Sequence, residues 1–195
     1  RIMAKLGIGM LIIPQKPWKE VAKEMGEYRT LFQQINGFAA PQPISSGWVF
    51  CDEDMGRAEA MATRYIGGYY KTVLDHYKFH ENHLKTTKDY EYYGKFAEKI
   101  QEKGQEEFIA FFRDLQVWGT PEMCLAKIVE VQKRVDACGF VGIFSYAGMP
   151  WAEADLAIKH PRSKWAAWGV RKANGQALAN DAKAAEEKNG PVEKP

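Results

Sequence analysis

The side chains best placed for chemistry stand where a well-patterned unit ends. Residues Gly139 to Phe144 have the composition of a buried strand, and they open into Ser145-Tyr146-Ala147-Gly148-Met149-Pro150. Parallel α/β folds hold their ligands at the carboxyl ends of strands, and small residues there leave a ligand room. Tyr146 is the one ionisable side chain of that loop, and a phenol is a hydrogen-bond donor at neutral pH. Function is therefore sought between Tyr146 and Met149.

His76, His80 and His83 fall at i, i+4 and i+7, so one continuous helix would carry the three rings on one face, where imidazoles bind metals. Three ligands from one helix rarely converge on one ion, and no acid or cysteine motif completes the set, so no metal is assigned. The competing reading is a lid or core-edge helix whose histidines bond their neighbours. Lys85, Lys88 and Lys95 interleave with Tyr90, Tyr92 and Tyr93, as cations and aromatics do in single-strand nucleic-acid binders. Glu81, Asp89, Glu91 and Glu98 cancel that field and favour a solvated lid. Thr120 and the Gly119 amide could take a phosphate at a helix start, although the same residues make an ordinary cap. Cys51 has no activating base beside it and reads as structural.

These residues need elements to position them. Met10-Leu11-Ile12-Ile13 is a continuous apolar run, the pattern of a strand covered on both faces, and Pro14 ends it. Lys16-Pro17 opens a helix in which Trp18, Val21, Ala22, Met25, Tyr28 and Phe32 recur at helical spacing, with Asn36-Gly37 as its stop. A second strand spans residues 44–51. Asp52-Glu53-Asp54 then suits the positive end of a helix running from about 55 to 80, whose Tyr65, Tyr69, Tyr70 and Tyr77 give it more than one face to bury. From 81 to 115 the pattern loosens into a charged excursion with a helix near 105–114, a length that reads as a lid. Thr120 caps the next helix, Cys124, Ile128, Val131 and Val135 face the sheet, and a third strand follows Gly139. Strands alternating with helices predict successive βα units of a parallel sheet.

Composition narrows the partners. An apolar content of 46% suffices for one core, and a net charge of +2 gives no field to recruit nucleic acid or an anionic membrane. Cys51, Cys124 and Cys138 have no paired spacing, so a zinc ribbon and a disulfide framework are both disfavoured and a reducing, cytoplasmic setting is expected. No apolar run approaches the roughly 20 residues of a membrane span. A compact domain is expected over residues 1–159. In residues 160–195, seven Lys and Arg against four Asp and Glu, with few apolar anchors, predict a basic tail that is disordered or marginally helical. Arg1 running directly into a strand suggests a piece of a longer protein.

Several segments together resemble the bacterial-luciferase-like flavin-dependent monooxygenases. They are Gly7 to Trp18, Asp75-His76-Tyr77 with Lys85-Thr86-Thr87-Lys88, and Trp118-Gly119-Thr120-Pro121-Glu122. The resemblance covers roughly residues 4 to 155. It implies a (β/α)8 TIM barrel of which this chain is the C-terminal part, about the last three strands, with the long helical excursion before the last. It implies reduced FMN as cofactor, dioxygen and a small organic substrate as reactants, a flavin reductase as partner and a homodimeric parent. Ile12, Ile13, Pro14 and Gln15 would lie beside the isoalloxazine ring, and Ser145, Ala147, Gly148 and Met149 would line the substrate side. Tyr146 would donate a hydrogen bond to flavin or substrate, and His76 would reach the mouth of the site as a second catalytic group. The strands that would carry most phosphate contacts precede this segment, so the isolated chain is expected to be inactive. The alternatives are a hydride-transfer enzyme of the same fold using a deazaflavin coenzyme, and a non-catalytic or metal-binding module around His76, His80 and His83.

Overall fold

A computed structural model describes residues 1–79, 81–88 and 90–164, with the side chains of residues 91, 92 and 160–164 outside that description. Its elements are α1 (Ile2–Lys5), β1 (Leu11–Ile12), α2 (Trp18–Asn36), β2 (Ile44–Cys51), α3 (Met55–Ala62), a π-helical turn (Thr63–Gly67), α4 (Gly68–His76), α5 (His83–Thr86), α6 (Glu91–Lys103), α7 (Gln105–Leu115), β3 (Val117–Gly119), α8 (Pro121–Val135), β4 (Gly139–Ile143) and α9 (Trp151–Lys164). The expected tail lies outside the described residues from 165 onward, and α9 runs past the expected boundary at 159. No helix among the described residues is long and apolar enough to cross a membrane.

Every strand pairing is parallel, and β2 is the hub. Leu11 and Ile12 pair with Ile44 and Ser45, while Gly139 to Ile143 pair with Ile44 to Trp48, so β1 and β4 occupy opposite edges of β2. Val117 to Gly119 pair with Val49 to Cys51 further along. Gln116 joins the two short strands on the β1 edge. Its Nε2 donates to the Phe112 carbonyl at 3.2 Å and the Pro14 carbonyl at 3.5 Å, and its Oε1 accepts the Trp48 N–H at 3.3 Å.

One step of this order runs backward. The steps from β1 to β2 and from β3 to β4 cross the sheet in one sense, and the step from β2 to β3 goes back. Right-handed crossovers then require the connecting helices to change face at that reversal. The buried clusters follow the rule. Ile12 packs with Val21, Met25 and Phe32 of α2 and with Val131 and Val135 of α8, and Val49 and Cys51 pack on Cys124 and Ile128 of α8. On the other face Trp48 and Phe50 meet Ala62, Tyr65, Ile66, Phe112, Ala154 and Ala157. Alternate residues of β2 thus serve two layers, which is the period-two geometry of a strand.

Local chemistry explains the element ends. Gly37, at φ +77°, closes α2 in the left-handed region that glycine enters without a Cβ penalty. The Asp54 carboxylate accepts the Arg57 N–H at 2.6 Å to cap α3, and Thr120 accepts the Met123 N–H at 3.4 Å to cap α8, with Pro121 in its first turn.

The structure departs from the sequence reading in four places. Val117–Gly119 is a fourth strand, too short to show an alternation of its own. Leu11, Ile13 and Val141 are exposed, so β1 and β4 are not covered on both faces; the helices opposite α2 and α8 reach only the carboxyl half of β2. The helix expected over 55–80 is broken by the π turn, which brings Tyr65 and Ile66 inward, and it ends at His76, beyond which Lys78 has φ +51°. The excursion is a packed helical layer, in which Ala97 and Ile100 of α6 join Leu74, Phe79 and Leu84 in a core of their own.

Candidate functional site

The carboxyl ends of the four strands define the face on which a ligand would sit. After β1 the backbone carries Pro14, fully buried, and Gln15, exposed. Of the four residues assigned to the cofactor, Ile12 and Pro14 face inward and Ile13 and Gln15 outward. Ile12, Ile13 and Gln15 line an open cleft of about 1360 Å³ between β1 and α2.

After β4 the loop makes a tight turn. The Met149 N–H donates to the Tyr146 carbonyl at 3.0 Å across Ala147 (φ +52°) and Gly148 (φ +67°). Ala147 in the left-handed region costs backbone energy that the turn must offset, a strain that clusters at functional loops. Ser145, Ala147 and Gly148 are exposed and Met149 is buried. Tyr146 points into the layer between β2 and α9, where its hydroxyl donates to the Val49 carbonyl at 3.0 Å. Burial first, and the Cys124 thiol second, push the phenol above its ordinary pKa, so it stays protonated. Its proton ties the β4 loop to β2, and direct donation to a ligand would require that bond to be exchanged.

Between the end of β1 and the helical layer lies a cavity of about 430 Å³, lined by Gln15, Lys16, Tyr70, Val73, Tyr77, Phe79, Leu84, Tyr90, Tyr93 and Phe96. It is separated from Tyr146 by an aromatic stack. Tyr70 lies flat on Phe112 at 4.1 Å and 4°, Phe112 meets the Trp48 ring edge-on at 5.3 Å, and Tyr69 leans on Trp48 at 4.6 Å. Gln15 thus belongs to the cavity, whereas the Ser145–Met149 loop does not line it.

His76 and His83 do not share one helix. His76 ends α4, exposed, with its ring edge-on to Tyr77 at 5.1 Å. His83 opens α5 beyond the turn at Lys78, with Nδ1 3.9 Å from a Glu81 oxygen. The shared helical face needed for a metal site is therefore absent between these two, and His80 lies outside the described residues. Among the described residues no three metal-binding side chains cluster.

Residues that sequence reasoning missed hold the mouth together. Arg57 of α3 bonds both the Asp52 carboxylate and Glu153 of α9, and those two hydrogen bonds, Glu153's the larger, raise the guanidinium further above its ordinary pKa. Asp52 also accepts the Asp54 N–H at 2.9 Å. The bridge spans 96 residues of chain, so only Asp52, at the strand end, could be noticed beforehand. Gln116 carried a faint signal as a polar residue between Leu115 and Val117. Cys51 and Cys124 are buried free thiols, as the structural reading of Cys51 expected. Hydrogen bonding to Cys51, then burial, pushes the Cys124 thiol up and leaves it inert.

A parallel α/β sheet with its loops gathered at the strand ends is an architecture that binds ligands at the carboxyl ends of its strands. Residues 1–137 match the luciferase-like monooxygenase family, and the chain belongs to that family. No curated protein matches it. Among solved structures it is similar to the monooxygenase RslO1 from Streptomyces bottropensis, with 17% identity and TM-score 0.52 over 82% of this chain and 41% of the other. It is also similar to the oxygenating constituent of 3,6-diketocamphane monooxygenase, from the CAM plasmid of Pseudomonas putida, a type II Baeyer-Villiger enzyme solved with FMN. That match has 14% identity and TM-score 0.52 over 84% of this chain and 44% of the other. Apo-MsnO8 matches at 14% identity and TM-score 0.50, over 83% of this chain and 46% of its own. The chain spans less than half the length of the solved structures it matches.

Proposed function

We propose that this chain is the C-terminal part, about the last three strands, of the barrel of a cytoplasmic flavin-dependent monooxygenase that oxygenates a small organic substrate with dioxygen. The family match over residues 1–137 carries the reading. A reductase partner and a homodimeric parent belong to the same proposal. Ile12, Ile13, Pro14 and Gln15 form the cofactor side, and Ser145, Ala147, Gly148 and Met149 the substrate side. Tyr146 enters as a positioning residue that holds that loop through Val49, and His76, next to Tyr77 of the cavity, as a group at its margin.

The residues present fit part of a flavin. A flat ring needs an apolar wall, which exposed Ile13 on the buried base of Ile12 and Pro14 supplies. A phosphate needs cations or a helix start. Of the cations near these strand ends, Lys16 is engaged with Glu24 at 2.6 Å and Arg57 with Asp52 and Glu153. This chain therefore offers contacts to the ring and leaves the phosphate to the earlier strands. When bound, reduced FMN supplies the electrons that activate dioxygen. The chain's own contribution is to orient the substrate and to exclude water, for which the helical layer of α4 to α6 provides the cover.

The test is an FMN titration, followed by flavin fluorescence, on this chain and on the chain joined to the earlier βα units of a complete barrel. Quenching by the complete barrel alone is the expected result. A complete barrel that ignores FMN overturns the proposal, and one that binds a deazaflavin coenzyme instead assigns hydride transfer.

A further inference from the structure

We propose that the cavity between the end of β1 and the helical layer binds a planar, uncharged aromatic molecule of two or three fused rings. As a substrate site it rests on the oxygenase reading above; as a binding site it stands on the geometry alone.

The cavity has a dry floor and an aromatic rim. Phe79 and Leu84 are each 6% exposed, whereas Tyr77, Tyr90 and Tyr93 at the mouth are 56, 47 and 41% exposed. Three half-exposed tyrosines around a buried floor are apolar surface that folding has left open, and contiguous surface of that kind marks binding sites. The described ring pairs at the mouth meet at an incline. Tyr90 and Tyr93 stand 5.8 Å apart and tilted by 41°, Phe79 and Tyr93 6.3 Å apart at 51°, and Tyr77 and Phe79 6.3 Å apart at 64°. Inclined rings offer both edges and faces to a flat guest, the two arrangements that aromatic pairs prefer.

Charge and size narrow the guest further. Among the described lining residues, Lys16 is the one side chain that is ionic at neutral pH, and it is paired with Glu24, so these residues offer an anion little. A neutral guest carrying a hydroxyl or carbonyl suits the tyrosine hydroxyls and the Gln15 amide. A volume of about 430 Å³ is at the small end for organic ligands. Because Gln15 directly follows the β1 end, the guest would lie on the face where the flavin wall is proposed. Gly94 fixes the cavity's shape, since a Cβ there would come within 3.0 Å of the Lys85 Cα and 3.1 Å of the Leu84 carbonyl, locking α6 against α5.

The test uses the whole chain with no flavin present, so its failure and that of the flavin reading are separate results. The probe is 2-naphthol, followed by its fluorescence, with 2-decalol as the saturated, non-planar counterpart and FMN as a second competitor. Binding of 2-naphthol is expected, with 2-decalol at least tenfold weaker as a competitor and FMN unable to displace the probe. Tyr77→Leu and Tyr93→Leu should each weaken 2-naphthol about three- to tenfold while leaving the thermal midpoint unchanged. Nuclear Overhauser contacts between the probe and tyrosine ring protons give a readout on the unmodified chain. Equal competition by 2-decalol, undiminished affinity in both variants, absence of those contacts, or displacement by FMN would each overturn the assignment.

Discussion

Replacing Gln116 with methionine tests the sheet's construction directly. The side chain is 2% exposed, and its amide serves three backbone groups at once: the Trp48 N–H of β2, the Pro14 carbonyl after β1 and the Phe112 carbonyl of α7. Methionine has nearly the same length, so the cavity contribution is small and the loss is polar. An orphaned buried N–H at Trp48 costs about 1–3 kcal/mol, and the two carbonyls, whose bonds are longer or shared, add about 1 kcal/mol between them. The expected loss is about 2–4 kcal/mol, a fall in melting temperature of about 5–15 °C at this chain length. Urea unfolding followed by tryptophan fluorescence measures it, with the slope of the transition unchanged because the same surface is exposed. Gln42→Met is the control. Gln42 donates to Asp136 at 2.9 Å on the exposed surface, and its loss should stay within about 0.5 kcal/mol. If Gln116→Met also cost under about 1 kcal/mol, the amide would not be what joins β1 to β3.

Other outcomes follow from the same contacts. Tyr146→Phe removes the bond to Val49 and should cost about 0.5–1.5 kcal/mol at neutral pH. Because the folded phenol titrates above its unfolded value, its stabilisation is complete below about pH 10 and is lost above it, at about 1.4 kcal/mol per pH unit. The unmodified chain should therefore lose stability above pH 10 more steeply than Tyr146→Phe, and parallel alkaline profiles would contradict the buried placement. Gly94→Ala should force α5 away from α6, costing about 1–3 kcal/mol in urea unfolding and weakening 2-naphthol, whereas an unchanged transition would show that the two helices can separate freely.

Much of the architecture is readable in one dimension because it depends on neighbours in sequence. The apolar stripe Trp18, Val21, Met25, Tyr28, Phe32, the stop at Gly37 and the cap at Thr120 with Pro121 all appear where spacing and local hydrogen-bond chemistry require them. The strand at 44–51 is found residue for residue, since β-branched and aromatic side chains cluster between a Pro-rich loop and three acids. Val117–Gly119 is not visible that way: a three-residue strand carries no period, and its identity comes from pairing with Val49 to Cys51. The helical layer from 83 to 115 was obscured by charge on its solvent faces, which hides the Ala97 and Ile100 stripe.

The candidate site divides on the same line. Tyr146 and its small neighbours were legible as a loop at a strand end, because glycine and alanine there are local facts. Where the phenol points is not local, since the Val49 carbonyl that takes its proton is 97 residues away. The aromatic cavity draws its walls from Gln15 and from the chain between Tyr70 in α4 and Phe96 in α6, and only folding makes them neighbours. Sequence by itself determined the helices, their caps, the main strand and the family resemblance, all carried by contacts a few residues apart or by motif. Tertiary structure alone decided the reversal of strand order, the Gln116 and Arg57 bridges and the cavity, because each depends on which distant surfaces the right-handed crossovers bring together.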